Sequence, residues 1–506
     1  MPTINTNDEI LDLNSNQADR QKMKDYWVKH SQFASIQEML LDSNAEEISD
    51  NELPEILSFL PSFKSKRVLE LGAGIGRFTR VLAQQAEHVV AVDFIEKFID
   101  KNRELNDDMN NIEFMVGDAT KVSFPHQSFN MIFSNWLLMY LNDTEILELI
   151  KNSLHFLKEG GYFFLRESCF HASGNIKNAQ ENPTVYRSPT AYVDFFQSKV
   201  IEQNDADYGF ELVFARPNRT YIEMKNNSNQ VCFLFQKVKL QTHHGFKTVK
   251  EFFDHKQYSL KSILRYEKIF GYGYVSTGGE ETTDFFLQTL ELKPGMRVLD
   301  VGCGIGGGDF LMSEKYGVEV FGLDLSSNMI GVCWDRAQNY KNSKVRFEIG
   351  DVTKHEYPTG YFDYIYSRDS LLHIPNKRQL FNKFKLWLKP GGKVFFSDYI
   401  CGPKPWSNEF HVYVEQRGYD LLTLDEYESI LKDTDFINIK KEDKTALFID
   451  YLHKELKNFI EQKDEFVKEF SIQDYNYLVD GWEEKLVSCE LGHQKYGIFY
   501  AEKKNL

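Results

Sequence analysis

The sequence contains no apolar run of eighteen or more residues, so it offers no candidate membrane-spanning helix. Its first residues, MPTINTNDEILDLNSNQ, lack the basic and apolar stretches of a secretory leader, which predicts a polar tail over 1–18 and a cytoplasmic location. Cysteine is scarce: Cys169, Cys232, Cys303, Cys333, Cys401 and Cys489 are scattered, with no CxxC spacing. That argues against a structural zinc site and a disulfide framework, and no metal is expected. Positive charge is in deficit, with 59 Lys and Arg against 75 Asp and Glu and a formal net charge of −16. Such a chain is a poor nucleic-acid binder, because phosphate neutralisation supplies most non-specific affinity. An anionic ligand would need Arg, Lys and Tyr gathered in one pocket.

What is present is a folded-protein composition, 42% hydrophobic and 26% charged, over 506 residues, enough for more than one domain. The chain repeats itself. RVLELGAGIGRF (67–78) returns as RVLDVGCGIGGGDF (297–310), and HVVAVD, ending at Asp93, returns as VEVFGLD, ending at Asp324. IEFMVGD, ending at Asp118, returns as VRFEIGD, ending at Asp351; FNMIFSN returns as FDYIYSR, and LKEGGYFFL as LKPGGKVFF. The offset is about 230 positions, a domain rather than a solenoid repeat.

Within each copy, short β-branched and aromatic runs alternate with helical stretches, the pattern of a parallel sheet covered on both faces. Two further strand-like segments close each copy: ELVFARPN and VCFLFQKV, then DFINIKKED and YGIFYAEKK. The layout resembles a pair of tandem class I, Rossmann-like, seven-stranded α/β methyltransferase domains. Boundaries are expected at 19–240 and 243–506, with a helical insertion at about 444–489 able to cap a ligand.

A glycine turn between strand and helix brings backbone close to a ligand and aims helix amides at it. Gly72 and Gly74 in one copy, and Gly302 and Gly304 in the other, supply it. Glu70 and Asp300 close the first strand and suit the amino group of a methionine moiety. Asp93 and Asp324 end the second strand, where a ribose diol can be held. Asp118-Ala119 and Asp351-Val352 end the third, suited to an adenine amino group. A nicotinamide site shares the first two features but needs neither the third nor the GG turn before strand five. Helix capping is the alternative role for each acid.

FSNWLLMYL, FLRESCFHASG and NPTVYR in the first half resemble the phosphoethanolamine N-methyltransferases, as do ILRYEKIFGYGYVSTGG, YSRDSLLHI, SDY and EQRGYDL in the second. The likeness runs from about Tyr26 to Lys503, in the two-domain arrangement of plants; the second half is also similar to the single-domain enzymes of the malaria parasite. The resemblance implies S-adenosylmethionine as donor and S-adenosylhomocysteine as product. Its implied substrates are phosphoethanolamine and its mono- and dimethyl forms, carried to phosphocholine, with the first methylation in the N-terminal half and the later two in the C-terminal half. No nucleic acid, membrane span or obligate protein partner is expected. Arg77, Asn135, Gln257, Ser276 and Arg368 join the expected donor-binding set.

An ammonium with a pKa near about 10 must lose a proton before it can attack a methyl group. In the second half, Tyr258 and His373 match the family's dyad. His373, near its ordinary pKa, is expected to accept the proton, with Tyr258 orienting it or latching a lid. Asp369, four residues earlier and expected on the same helical face, would orient the imidazole or attract the amine. Tyr399, Tyr413, Arg417, Tyr419 and Lys485 match phosphate-binding positions.

The first half departs from this plan, because Tyr140 aligns with His373. Tyr26 sits 46 residues before Gly72 as Tyr258 sits 44 before Gly302. The base there stays open among Tyr140, Tyr26 and His30. Arg166 and Glu167, with Tyr186 and Arg187, are the candidate phosphate and amine contacts. Competing readings are a tandem methyltransferase for another small acceptor such as glycine or a sterol, a nicotinamide oxidoreductase, and a non-catalytic donor-binding regulator.

Overall fold

The computed structural model describes residues 20–32, 34–174, 182–241, 246, 249–340 and 344–505. The expected tail and the expected start of the second domain at 243 lie outside them. The chain falls into two compact units, Met1–Thr248 and Val249–Leu506.

In the first unit, β1 (Arg67–Leu71), β2 (His88–Asp93), β3 (Ile112–Val116), β4 (Phe129–Asn135) and β5 (Leu157–Ser168) pair in parallel, in the order β3-β2-β1-β4-β5. A short β6 (Val200–Gln203) pairs with β7 (Ala206–Pro217), and β8 (Gln230–Lys239) inserts antiparallel between β5 and β7. The second unit repeats the order as β11-β10-β9-β12-β13-β15-β14. Its strands are β9 (Arg297–Val301), β10 (Glu319–Asp324), β11 (Val345–Gly350), β12 (Phe362–Arg368), β13 (Leu388–Cys401), β14 (Phe436–Asp443) and β15 (Gln494–Lys503).

The central strands are apolar throughout because helices cover both sheet faces. Val68, Leu69, Val89, Ala91, Val298 and Leu299 are wholly buried. Both sheets reverse strand order at the first strand, with β4 or β12 on its other side. That opens a crevice beyond the carboxyl ends of the strands, where the glycine turns lie.

Helices α1 (Ala45–Phe59) and α2 (Asp143–Phe156) belong to the first unit, and a helix over 20–30 precedes α1. Asn142 and Glu145 form a capping box that starts α2 immediately after the β4 turn. In the second unit, α3 (Leu260–Phe270), α4 (Gly307–Tyr316) and α5 (Asn408–Arg417) surround the crevice. Between β14 and β15, α6 (Thr445–Glu461), α7 (Lys463–Glu469) and α8 (Ile472–Glu490) form the helical insertion. Phe448, Leu452, Phe459, Tyr475, Leu478 and Trp482 bury its apolar face in the same core as Phe395 and Tyr496 of the sheet.

Candidate active sites

The two glycine turns are braced identically. The Gly74 N–H donates to Asp93 Oδ2 at 2.9 Å and the Ile95 N–H to Oδ1 at 2.9 Å. Gly304 and Ser326 do the same for Asp324, at 3.0 and 2.9 Å. These acids therefore hold the loop as well as facing the crevice, and burial lifts each to about 6. Gly302 has a φ of +78°, and a Cβ there would sit 2.0 Å from Ser370 Oγ, so no larger residue fits.

The acids closing the first strand are buried and differ in their partners. Glu70 accepts from Thr79 Oγ1 at 2.6 Å, and burial pushes it up to about 8. Asp300, also lifted to about 8 by burial, faces Asp309 on α4, whose carboxyl is raised by burial and by Asp300. Asp300 Oδ1 and both Asp309 oxygens are buried without a partner. Burial and mutual repulsion hold two facing carboxyls of this kind toward their neutral forms, and a cation placed beside them would favour the charged form. Thr79 and Asp309 were not singled out from the sequence, yet each stands nine residues past its acid in the aligned copies.

At the third strand, Asp118 accepts from Thr120 N and Oγ1 at 3.0 and 2.8 Å, and Asp351 from Thr353 at 2.9 and 2.6 Å. Arg20, on the 20–30 helix, also reaches Asp118 at 2.6 Å. Ala119 and Val352 are buried beside them.

Beyond β4 and β12 the two copies share a strained backbone. Trp136 and Asp369 both have a φ of +54°, a conformation that costs a side-chain-bearing residue about 1 kcal/mol or more. A single 3-10 turn follows each, Leu138–Tyr140 and Leu371–His373. The turn delivers Tyr140 and His373 to equivalent places.

In the second unit, Tyr258 Oη lies 3.2 Å from His373 Nε2, and Gln257 Nε2 donates to the same hydroxyl at 3.2 Å. The Tyr258 segment is latched down. Asn328 donates to the Tyr258 and Asp254 carbonyls at 2.9 and 3.0 Å, and Ser326 Oγ donates to the Asp254 carboxylate at 2.6 Å. Around His373 stand Tyr419, with ring centroids 5.1 Å apart, and then Tyr413 and Tyr399 at 5.8 and 6.3 Å from Tyr419. Arg417 lies 5.8 Å from the Tyr413 ring and Lys485 5.1 Å from the Tyr399 ring. Burial keeps these phenols neutral and lowers Lys485 to about 8, helped by the neighbouring Arg417. The five residues assigned to phosphate are thus gathered, from β13, α5, the turn after it and α8.

Three expectations for this unit need correction. His373 does not keep its ordinary pKa: burial first, then Arg417 and Lys377, lower it to about 4. Asp369 does not share a helical face with His373, because the left-handed residue precedes the 3-10 turn. Its Oδ1 accepts instead from Ser397 Oγ and Tyr496 Oη, both at 2.9 Å, while Oδ2 faces the Arg368 guanidinium, with Nε at 3.9 Å, and His373 Nδ1 is buried without a hydrogen bond. Arg368 spends its Nη groups on Thr277 O and, at 2.9 Å, Gly279 O, so it shapes the segment after Ser276 rather than reaching out from it.

In the first unit, Arg77, Asn135, Tyr26, Tyr140, Tyr186 and His30 line one cavity with Glu70, Gly72, Gly74, Asp93 and Asp118. Burial, and the neighbouring Tyr26, hold the Tyr140 phenol far above its usual range, so it is a neutral donor. His30 Nδ1 is paired with Glu38. Arg77 is paired with Glu52, yet its Nη2 is buried without a partner.

Arg166, Arg187 and Glu167 do not line that cavity. Arg166 is 0% exposed and meets Glu52 at 3.0 and 3.1 Å, Asn135 at 2.7 Å and the Trp136 ring centroid at 3.7 Å. Arg187 is bound to Asp143 at 2.8 Å and the Leu141 carbonyl at 2.7 Å. Glu167 accepts from the N–H groups of Leu137, Leu138 and Met139 at 3.2, 2.9 and 3.1 Å and so holds the turn that presents Tyr140. Charge type and alignment put these residues near a ligand; Glu52, on α1 and more than a hundred residues before Arg166, takes that arginine's charge. Of the four, Tyr186 alone reaches the cavity.

Residues 68–161 and 292–465 each match a family profile described as a methyltransferase domain. The chain is 48% identical over 490 residues to phosphoethanolamine N-methyltransferase 3 of Arabidopsis thaliana, covering 96% of this chain and 99% of that one. It is 39% identical over 257 residues to the phosphoethanolamine N-methyltransferase of Plasmodium falciparum, 50% of this chain and 96% of the relative. Among solved structures it resembles phosphoethanolamine N-methyltransferase 2 of Haemonchus contortus, in complex with phosphomonomethylethanolamine and S-adenosylhomocysteine. That match has a TM-score of 0.75 and 27% identity, over 90% of this chain and 99% of the other.

Proposed function

The chain belongs to the phosphoethanolamine N-methyltransferase family, and from that premise we propose that its two sites methylate phosphoethanolamine in succession to phosphocholine. The first methylation falls to the N-terminal half and the later two to the C-terminal half. S-adenosylmethionine supplies an electrophilic methyl group on sulfur. The chain's own residues fit that donor: Asp300, buried with Oδ1 lacking a hydrogen bond, suits its ammonium.

Arg417 and Lys485 bind the phosphate with charge, and Tyr399, Tyr413 and Tyr419 add neutral hydroxyl donors. That clamp fixes the far end of a short molecule, so its nitrogen is held beside Tyr258, His373 and Asp369. His373 is neutral in the absence of ligand and can take a proton at Nε2. A phosphate dianion offsets Arg417 and so strengthens the imidazole as a base when substrate is present. The surrounding phenyl faces accommodate an amine that becomes more apolar with each methyl.

The observation that carries this reading is the Tyr258–His373 pair opening onto the same buried cluster as Arg417 and Lys485. The Asn182, Tyr186, Tyr140 and Tyr26 side of the first cavity offers no equivalent imidazole at the Tyr140 position, which suits a different methylation state. A cytoplasmic location accords with six unpaired thiols. No helix among the described residues is long and apolar enough to cross a membrane.

Incubation with methyl-labelled S-adenosylmethionine and phosphoethanolamine should yield mono-, di- and trimethylated products. Label entering ethanolamine but not phosphoethanolamine would overturn the substrate assignment.

A further inference from the structure

Glu455 lies in the middle of α6, is 9% exposed, and has no place in the chemistry described above. Its Oε1 accepts from the Gly278 N–H at 2.5 Å. The flanking carbonyls, Thr277 O and Gly279 O, are the ones held by Arg368. Three consecutive residues, directly after Ser276, are therefore clamped from two sides: by an arginine of the sheet and by a carboxylate of the insertion.

Gly278 cannot be replaced, since its φ is +83° and a Cβ would fall 1.7 Å from Thr282 Oγ1. The other Glu455 oxygen, Oε2, is buried against the Trp482 indole, whose N–H is its neighbouring donor on α8. Trp482 and Lys485 sit on α8 less than one turn apart. Phe459 of α6 stacks on Tyr475 of α8 at 4.9 Å, so the two helices share one packed core. Lys485 and Glu455 also attract one another across this core.

We propose that Glu455 is a positioning residue that ties the helical insertion, and through Lys485 the occupancy of the phosphate pocket, to the segment that receives the methyl donor. The inference rests on the assignment of phosphate to Lys485 and of the donor to the Ser276 side. The Glu455–Gly278 bond exists only while the insertion is seated. An anion at Lys485 favours the seated state, so substrate strengthens donor binding and, by reciprocity, donor strengthens substrate binding.

The test uses the full chain with phosphodimethylethanolamine as acceptor, reading KM for S-adenosylmethionine at low and at saturating acceptor. In the wild type that KM should fall as acceptor rises. Glu455→Ala should raise it roughly tenfold, the effect of one buried hydrogen bond, and flatten its dependence on acceptor. Glu455→Gln keeps an oxygen for the Gly278 N–H and should restore most of the coupling.

Methylation of phosphoethanolamine itself should be unchanged in both variants. An alanine variant with wild-type KM at both acceptor levels overturns the proposal. So does a glutamine variant as impaired as the alanine one, or a parallel loss of the first methylation, which would mark a global folding defect. A wild-type chain that does not turn over phosphodimethylethanolamine would instead overturn the functional reading beneath it.

Discussion

Tyr258 Oη and His373 Nε2 are 3.2 Å apart, although 115 residues separate them in the chain. Neither element alone makes the pair. The strained Asp369 and the 3-10 turn fix the imidazole, while the Asp254 and Asn328 contacts pin the tyrosine segment over it. The pair reports whether that segment is closed.

His373→Ala should abolish the later methylations, by about 10²–10⁴-fold, and leave the first largely intact. Product separation after incubation with phosphoethanolamine reads both at once, with monomethyl product accumulating. An equal loss of the first step in a folded protein would overturn the division of labour.

The His373 imidazole should titrate near 4 in the free protein. Phosphocholine should move it upward, since the bound phosphate offsets Arg417. Histidine-labelled protein followed by NMR, with His373→Ala for assignment, measures the shift. A downward shift or none would mean that the phosphate sits elsewhere.

Arg417→Lys keeps the charge but loses the planar fork, and should raise KM for phosphodimethylethanolamine roughly tenfold. Lys485→Ala should raise it at least as far. Both changes should spare phosphoethanolamine consumption by the N-terminal half.

Arg166→Ala should act on folding rather than on KM. It leaves buried Glu52, a carboxylate held below its usual range by Arg166 and Arg77, with Arg77 alone, and should cost about 1–3 kcal/mol. Calorimetric unfolding tests this. A stable variant with only a weakened phosphate affinity would restore Arg166 as a substrate contact.

Glu70 is raised to about 8 by burial, so the folded protein without ligand holds its proton where the unfolded chain has lost it. Its contribution therefore falls as pH rises from the unfolded value near about 4.3 through 8. Glu70→Gln, a mimic of the protonated form, should raise the melting temperature of the ligand-free protein at pH above 8. The difference should vanish near pH 4 and below. The variant should also bind S-adenosylhomocysteine more weakly, because the amide offers the donor's ammonium no charge.

The duplication, the strand order's closing hairpins, the glycine turns and their acids could be read directly from the sequence. Those features are local: a buried parallel strand needs an unbroken apolar run, and a turn such as that at Gly302 tolerates nothing larger than glycine. The gathering of Arg417 from α5 with Lys485 from α8 was reached through family likeness and not through spacing. Only the folded chain decided which charges are spent internally. Arg166, Arg187 and Arg368 look in sequence like ligand-seeking cations, but Glu52, Asp143 and backbone carbonyls take them, because a buried guanidinium needs most of its donors satisfied at once. The lowered basicity of His373 was likewise invisible, since it arises from desolvation and from Arg417 and Lys377, which only the fold brings near.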